Sequence, residues 1–369
     1  MIYLDNAATS FLKPPSVSYA VMRAMQTASS PGRGAYRTAM RAADLVLDCR
    51  EEAAALFHMD DPSRVVLTGS ATHGLNLAIR SLARPGMRVL VSGFEHNAVM
   101  RPLRALGADV CVAGRTLFDA DSVFSDFEKK IEGAKLVVCT HVSNVFGFIL
   151  PIERIAALCR SRGVPLIIDA SQSAGVLDFD FTALGAAFAA MPGHKALYGP
   201  QGTGLLLCAQ EGSPLLFGGS GADSASPFMP QQLPERLEAG TCNVPGAAGL
   251  CAGLRFVREK TTEKLLSHER SLLRLARESL ADAKGVRVFA GAEEQQTGIL
   301  SLLFENTDCE SAARLLDEEE IAVRSGLHCA PAAHESAGTF RTGTLRMSFS
   351  AFVGEKEVEK ACDVIRGIS

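Results

Sequence analysis

The stretch Met191-Pro192-Gly193-His194-Lys195-Ala196-Leu197-Tyr198-Gly199-Pro200-Gln201-Gly202-Thr203-Gly204 sets a histidine–lysine pair among glycines. A lone lysine is almost always a solvated surface charge. Lys195 departs from that pattern, because an apolar run at residues 186–191 precedes it and another at 205–208 follows. Upstream, Val164-Pro165-Leu166-Ile167-Ile168-Asp169 ends a further apolar run on an acid. A carboxylate at the end of a buried strand is costly unless it is paired. Capping a nearby helix is the competing role, and the weaker one. A lysine and such an acid are the two groups that pyridoxal phosphate (PLP) needs. The amine carries the cofactor covalently, and the carboxylate holds the pyridine nitrogen protonated so that the ring acts as an electron sink.

Outward from this pair, residues 60–210 alternate short apolar runs with amphipathic stretches. Strands are expected at 65–67, 89–91, 109–112, 136–140, 165–169, 186–190 and 204–208, and helices at 74–83, 99–106, 121–131 and 152–162. That alternation predicts an α/β domain with a mostly parallel seven-stranded sheet covered by helices. Polar and Gly-rich segments follow the strands, where open sheets of this kind bind ligands. One of them, Thr68-Gly69-Ser70-Ala71-Thr72-His73-Gly74, runs into a helical pattern and offers a helix N-terminus to a phosphate. Residues 212–241 are rich in Gly, Ser and Pro and read as an extended loop. Helices resume at 247–260 and 262–283. A smaller α+β pattern ends the sequence: strand 297–304, helix 309–319, strands 322–324 and 344–348, helix 355–366. The pattern divides the chain near residue 258 into a large PLP-binding domain, 15–257, and a small C-terminal domain, 258–369; the N-terminal segment, 1–14, is expected to join the small domain.

Composition bounds the function. At 369 residues, with 47% hydrophobic and 21% charged residues, the chain has the makeup of a packed two-domain globular protein. A formal charge of −4 gives no electrostatic footprint for nucleic acid or an anionic membrane. The apolar runs are too short to span a bilayer, and Met1-Ile2-Tyr3-Leu4-Asp5 lacks the pattern of a signal peptide, so a cytosolic protein is expected. Ten cysteines are scattered without a Cys-x-x-Cys or zinc-like spacing, so neither a metal site nor a disulfide framework is expected. Most sit in apolar runs, where a free cysteine acts as a small hydrophobe. Cys329 does not, with His328 before it, Pro331 after it and Gly326 nearby. A nucleophilic cysteine must be a thiolate, which a cationic or dipolar setting favours. His328 and Arg324 are the candidates to supply one.

Taken together, these segments resemble the fold-type I PLP-dependent transferases of the class V aminotransferase group, most closely the cysteine desulfurases. Tyr3-Leu4-Asp5-Asn6-Ala7-Ala8 is similar to the family's opening strand. Glu95-His96-Asn97 is similar to the motif whose His, here His96, stacks on the PLP ring. The resemblance implies that Asn144 and Gln172 meet the cofactor's ring oxygen, Asp169 its ring nitrogen, and that His194-Lys195 carries it. Ser70, Ala71 and Thr72 fall at its phosphate. Glu238-Ala239-Gly240-Thr241 looks like the strip that lends a phosphate ligand, Thr241, to a neighbouring subunit, which implies a homodimer. Arg324-Ser325-Gly326-Leu327-His328-Cys329-Ala330 resembles the catalytic-cysteine loop of the group II desulfurases. Arg346 matches the arginine that pairs with the substrate carboxylate, and Asn6 and Arg324 are placed near the same substrate.

The implied reaction runs from L-cysteine to L-alanine. Lys195 is displaced by the substrate amine and then moves the α-proton, and Cys329 attacks the substrate sulfur to form a persulfide. A protein acceptor would then take that sulfur. Selenocysteine lyase, with L-selenocysteine as substrate, or a class V aminotransferase-like enzyme acting on another amino acid, are the alternatives. Three positions depart from the group II pattern: Pro192 replaces a serine, Ala71 replaces one of two paired threonines, and Tyr36 in Arg33-Gly34-Ala35-Tyr36 replaces a histidine. The first two remove hydroxyls from the phosphate site, with Ser70 and Thr203 at hand to compensate.

Overall fold

The structure, a computed structural model, describes residues 1–32 and 34–368. Strand β1 (Ile2–Tyr3) leads into helices α1 (Pro15–Thr27) and α2 (Arg37–Leu56). Then come β2 (Val65–Thr68), α3 (Ala71–Leu82), β3 (Arg88–Ser92), α4 (Asn97–Leu106), β4 (Asp109–Ala113) and α5 (Ala120–Lys130). These are followed by β5 (Leu136–Thr140), α6 (Ile152–Arg162), β6 (Leu166–Asp169), α7 (Phe181–Leu184), β7 (Phe188–Pro192) and β8 (Gly204–Cys208). Among the described residues the large sheet has seven strands in the order β2-β8-β7-β6-β5-β3-β4. Only β8 runs antiparallel to its neighbours. Successive residues feed opposite cores: Ile168, Ala189, Leu205 and Leu207 belong to one, and Ile167, Phe188, Ala190 and Leu206 to the other. Burial on both faces is why these strands read as nearly continuous apolar runs.

Local chemistry moves several boundaries from the expected ones. Ser70 caps α3 by accepting from the His73 amide, so the helix opens at Ala71 and carries Gly74 inside it. A Cβ at Gly74 would lie 3.2 Å from that of Ala190, so α3 crosses the sheet closely there. His96 caps α4 in the same way through Nδ1 and the Ala98 amide, and that helix starts at Asn97. Strand β7 starts two residues later than expected and ends on Pro192, paired with Gly204. The end of a strand tolerates the missing N–H.

Beyond residues 209–243, which hold no helix or strand, α8 (Val244–Lys260) packs against α1 and α2. After it come α9 (Thr262–Leu280), β9 (Val286–Phe289), β10 (Ile299–Phe304), α10 (Cys309–Glu318), β11 (Ile321–Ala322) and β12 (Arg324–Gly326). Helix α11 (Pro331–Ala337), β13 (Thr344–Ser348) and α12 (Glu355–Ile368) end the chain. An antiparallel sheet, β12-β13-β10-β9, rests on a core made by α9, α10 and α12. The expected strand 322–324 is in fact two strands in two sheets. Ile321 and Ala322 pair in parallel with Ile2 and Tyr3, whereas Arg324 pairs with Arg346. Leu4 joins this second core. Helices α1 and α11, not anticipated, both open on a proline, whose fixed φ suits the first helical position. No helix among the described residues is long and apolar enough to cross a membrane.

Candidate active site

The carboxyl ends of the parallel strands deliver the side chains. Asp169 is the last residue of β6, His194 and Lys195 follow β7, and Asn144 lies beyond β5. His96 lies beyond β3, and Ser70 and Thr72 lie at the turn from β2 into α3. Together with Ala71 and Gln172 they line one cavity of about 180 Å³. Nine of the residues named as cofactor ligands thus converge, across more than a hundred positions of sequence, as the doubly wound topology dictates.

Desolvation pushes the Lys195 amine down to about 8, against the pull of the nearby Asp169 carboxylate. Among the described residues its Nζ has no hydrogen-bond partner. Asp169 is buried, and Oδ1 accepts from the Ser171 amide at 2.9 Å. Burial also lowers the His96 imidazole, with Asp169 opposing, and its Nδ1 is spent on the α4 cap. That bond makes Nδ1 an acceptor, so the neutral ring carries its proton on Nε2. Gln172 donates to the Ala7 carbonyl at 2.9 Å. His194 meets Thr9 Oγ1 at 3.0 Å, and burial lowers it to about 4. The amides of Ala71 and Thr72, the first two of α3, have no acceptor among the described residues. Of the two compensating hydroxyls, Thr203 donates to the Pro200 carbonyl and lines a different cleft. Ser70 accepts as a cap, which leaves its proton free to donate.

Arg346 is buried in β13, and its fork is engaged. Nη2 donates to Asp5 Oδ1 at 2.7 Å and Nη1 to the Asn144 carbonyl at 2.8 Å, while Nε is buried without a partner. Arg324, half exposed, donates from Nε to the other oxygen of Asp5 at 3.0 Å. Asp5 is therefore the carboxylate that holds both guanidinium groups, a role the sequence reading did not assign to it. Its signal was an acid inside Tyr3-Leu4-Asp5, of the same kind that marked Asp169. Asn6 gives its amide to the carbonyls of Tyr3 and Ser348.

Cys329 is the one exposed cysteine among the ten. It sits between β12 and α11 in a turn where His328 and Cys329 both take left-handed φ, 48° and 57°. Two bonds fasten this turn to the cavity: Asn144 Nδ2 donates to the His328 carbonyl at 2.7 Å, and the Asn97 amide to the Cys329 carbonyl at 2.8 Å. The expectation that His328 gives the thiol a cationic setting is corrected. Its ring is buried, bonded through Nε2 to Thr344, and burial with nearby Arg346 drives it down to about 2, so it is neutral. Thr241 does not join the cavity. It is exposed and lines a separate cleft with Gly69, His73 and Gly202, while its neighbour Glu238 is tied to Arg50 by paired bonds of 2.7 Å. The departure at Tyr36 stands just before α2 with its side chain exposed, while Arg33 of the same segment lies outside the described residues.

The donor set fits PLP: a desolvated amine, a buried acid near it, a neutral imidazole at the cavity wall and free amides at a helix N-terminus. Comparison with known proteins agrees. The family described as aminotransferase class-V matches residues 2–361. A probable cysteine desulfurase of Methanothermobacter thermautotrophicus is 30% identical, with 100% of this chain and 94% of that protein covered. Cysteine desulfurase CsdA of Escherichia coli is 31% identical, with 99% and 93% covered. The apo structure of cysteine desulfurase from Thermococcus onnurineus NA1 has a TM-score of 0.92 and 30% identity, with 100% of this chain and 94% of that one covered. Matched over nearly its whole length, the chain belongs to the class-V aminotransferase family of PLP-dependent enzymes.

Proposed function

We propose that the chain is a PLP-dependent cysteine desulfurase, which moves sulfur from L-cysteine to the Cys329 thiol and releases L-alanine. The observation that carries this reading is the position of Cys329: the single exposed cysteine, in a turn bonded to Asn144 and Asn97 at the Lys195 cavity. When bound, PLP supplies an electron sink for the substrate's α-carbon. Lys195 holds the cofactor and, with its amine lowered to about 8, serves as the base that takes the α-proton and returns it. Asp169 holds the ring nitrogen, His96 supports the ring face, and Ser70, Thr72 and the α3 amides take the phosphate. Arg324 and Arg346, held in place by Asp5, meet the substrate carboxylate. The Cys329 sulfur would then form a bond to the substrate sulfur as the carbon–sulfur bond breaks. The electron pair of that bond stays with the β-carbon, which takes the proton given up by the thiol, so that the substrate leaves as alanine and Cys329 holds the persulfide.

An exposed persulfide suits delivery to an acceptor protein. Two copies of the chain form a homodimer, in which Thr241 reaches the other copy's phosphate. Ten free cysteines suit the reducing cytosol. The test is one turnover with L-cysteine. Mass spectrometry should find one added sulfur on the Cys329 peptide and an equal amount of alanine. Cys329→Ala should keep the cofactor and lose both products, and alanine formation at the wild-type rate by that variant would overturn the reading.

A further inference from the structure

Asn144 stands where three parts of the site meet. Its side chain lines the Lys195 cavity, its Nδ2 donates to the His328 carbonyl at 2.7 Å, and its own carbonyl accepts from Arg346 Nη1 at 2.8 Å. The turn it holds does not hold itself. Two consecutive residues other than glycine in the left-handed region each carry steric strain, and such turns persist only where surrounding groups over-determine them. Within the turn one backbone bond is made, from the Ala330 amide to the Leu327 carbonyl at 2.9 Å. Further hold comes from the large domain, from the His328 ring on Thr344 and from His334, whose ring stacks on that of His328. The second latch, the Asn97 amide on the Cys329 carbonyl, comes from the residue after His96, which also lines the cavity.

An amide NH₂ has two hydrogens and a carbonyl oxygen besides. Asn144 uses one hydrogen on the cysteine turn and keeps the rest of the group for the cavity. A ligand bonded to the same amide restrains its rotation and so strengthens the bond to His328, and by linkage a fastened turn strengthens the ligand's hold in equal measure. We propose that Asn144 is a positioning residue that couples occupancy of the cofactor cavity to the Cys329 turn. The turn is then held more firmly when the cofactor is present than when it is absent. This leaves the exposed Cys329 thiol better ordered for attack on substrate sulfur in the loaded enzyme. The proposal rests on the reading of the cavity as a PLP site.

The experiment is amide hydrogen exchange on the peptide spanning residues 327–330, measured on the full chain with and without PLP. Loading is checked independently by absorbance and by a borohydride-reduced adduct on Lys195. In the wild type PLP should slow exchange of this peptide by about three- to tenfold, the effect expected of strengthening one hydrogen bond. Asn144→Asp, which keeps the shape and loses the donor, and Asn144→Ala should still load PLP through Lys195 and Asp169. In both, exchange of the turn should become independent of PLP. In Michaelis terms both should lower kcat for desulfuration more than they raise KM, because the substrate's own contacts are elsewhere. Loaded wild type with no slowing overturns the coupling and leaves the PLP reading intact. Retention of most of the slowing in both variants overturns it as well, because a merely structural Asn144 would raise exchange equally with and without PLP. Failure of the wild type to form the Lys195 adduct overturns the PLP reading itself.

Discussion

Asp5 pairs with two arginines, one of them among the largest fully buried side chains of the molecule. Removing one partner of a buried ion pair leaves the other charge uncompensated and costs about 3 kcal/mol. Asp5→Asn should therefore lower the free energy of unfolding by that amount, moving the urea midpoint down, and weaken substrate binding with little change in PLP binding. Chemical denaturation and cysteine titration measure the two effects, and an unchanged midpoint would remove Asp5 from its assigned role. Lys195 makes a different prediction. An amine with its pKa lowered to about 8 gains its reactive free form as pH rises through that value. The rate at which apo protein takes up PLP should climb with pH and level off above about 8, and Lys195→Ala should give no borohydride adduct. Lys195 and Asp169 were legible in the sequence because their surroundings make no sense for ordinary surface charges. Asp5 carried a similar mark, an acid closing Tyr3-Leu4-Asp5, but its role was not legible, because its partners lie at positions 324 and 346 and no local pattern joins them. His328 was misread for a related reason: adjacency to Cys329 says nothing of the Thr344 backbone and hydroxyl that enclose the ring.

Helix starts decide much of this site. The Ser70 hydroxyl caps α3 beside the free Ala71 and Thr72 amides. Ser70→Ala should cost about 1 kcal/mol of stability through the lost cap. It should also weaken PLP binding, because Pro192 and Ala71 leave few other hydroxyls for the phosphate. Thermal melts with and without PLP separate the two effects, and equal losses in both states would mean a cap and nothing more. In α9, Glu269 is buried, and desolvation raises it to about 8, against a bond from the Gly298 backbone amide. The native chain then keeps a proton that the unfolded chain has already released. The stabilising contribution is full below the ordinary value of 4.5 and is lost as pH rises through about 8. Glu95 shifts in the same direction. Glu269→Gln should flatten the decline of melting temperature with rising pH over that window, and an unchanged slope would show that Glu269 is ionised in the folded state. Patterning had foretold most helices and strands of the large sheet to within two or three residues. It missed β9 and merged β11 with β12, because short strands of a small sheet carry too few residues to show a period.

At the scale of the molecule, the alternating pattern was enough for the sheet, since apolar runs in succession admit few topologies. The pairing of β1 with β11 and the sharing of Leu4 with the second core were not readable from periodicity, for they join opposite ends of the chain. Several large apolar side chains stay exposed. Met25 on α1, Tyr36 beside α2, Met40 within it, and Phe217 and Phe228 on the long loop are all more than half exposed. If these side chains serve the proposed homodimer, they are its candidate contacts. Sedimentation should show a homodimer, and Met25→Glu with Met40→Glu should shift it to monomer and weaken PLP binding if Thr241 serves the other copy. A monomer with full PLP content and activity would rule the dimer out.

The bond between Asp5 and Arg346 has a bearing on how the protein comes into being. A ribosome releases residue 5 long before residue 346, so the opening segment waits through most of synthesis without its strand partner, its core or its counter-charge. The large sheet closes between residues 65 and 208 and can form while the rest is still being made. The catalytic apparatus cannot. Its arginines, its cysteine turn and the acid that steadies them come together only in the last stretch of translation, so a chain stalled before Arg346 holds a folded sheet and an unfinished enzyme.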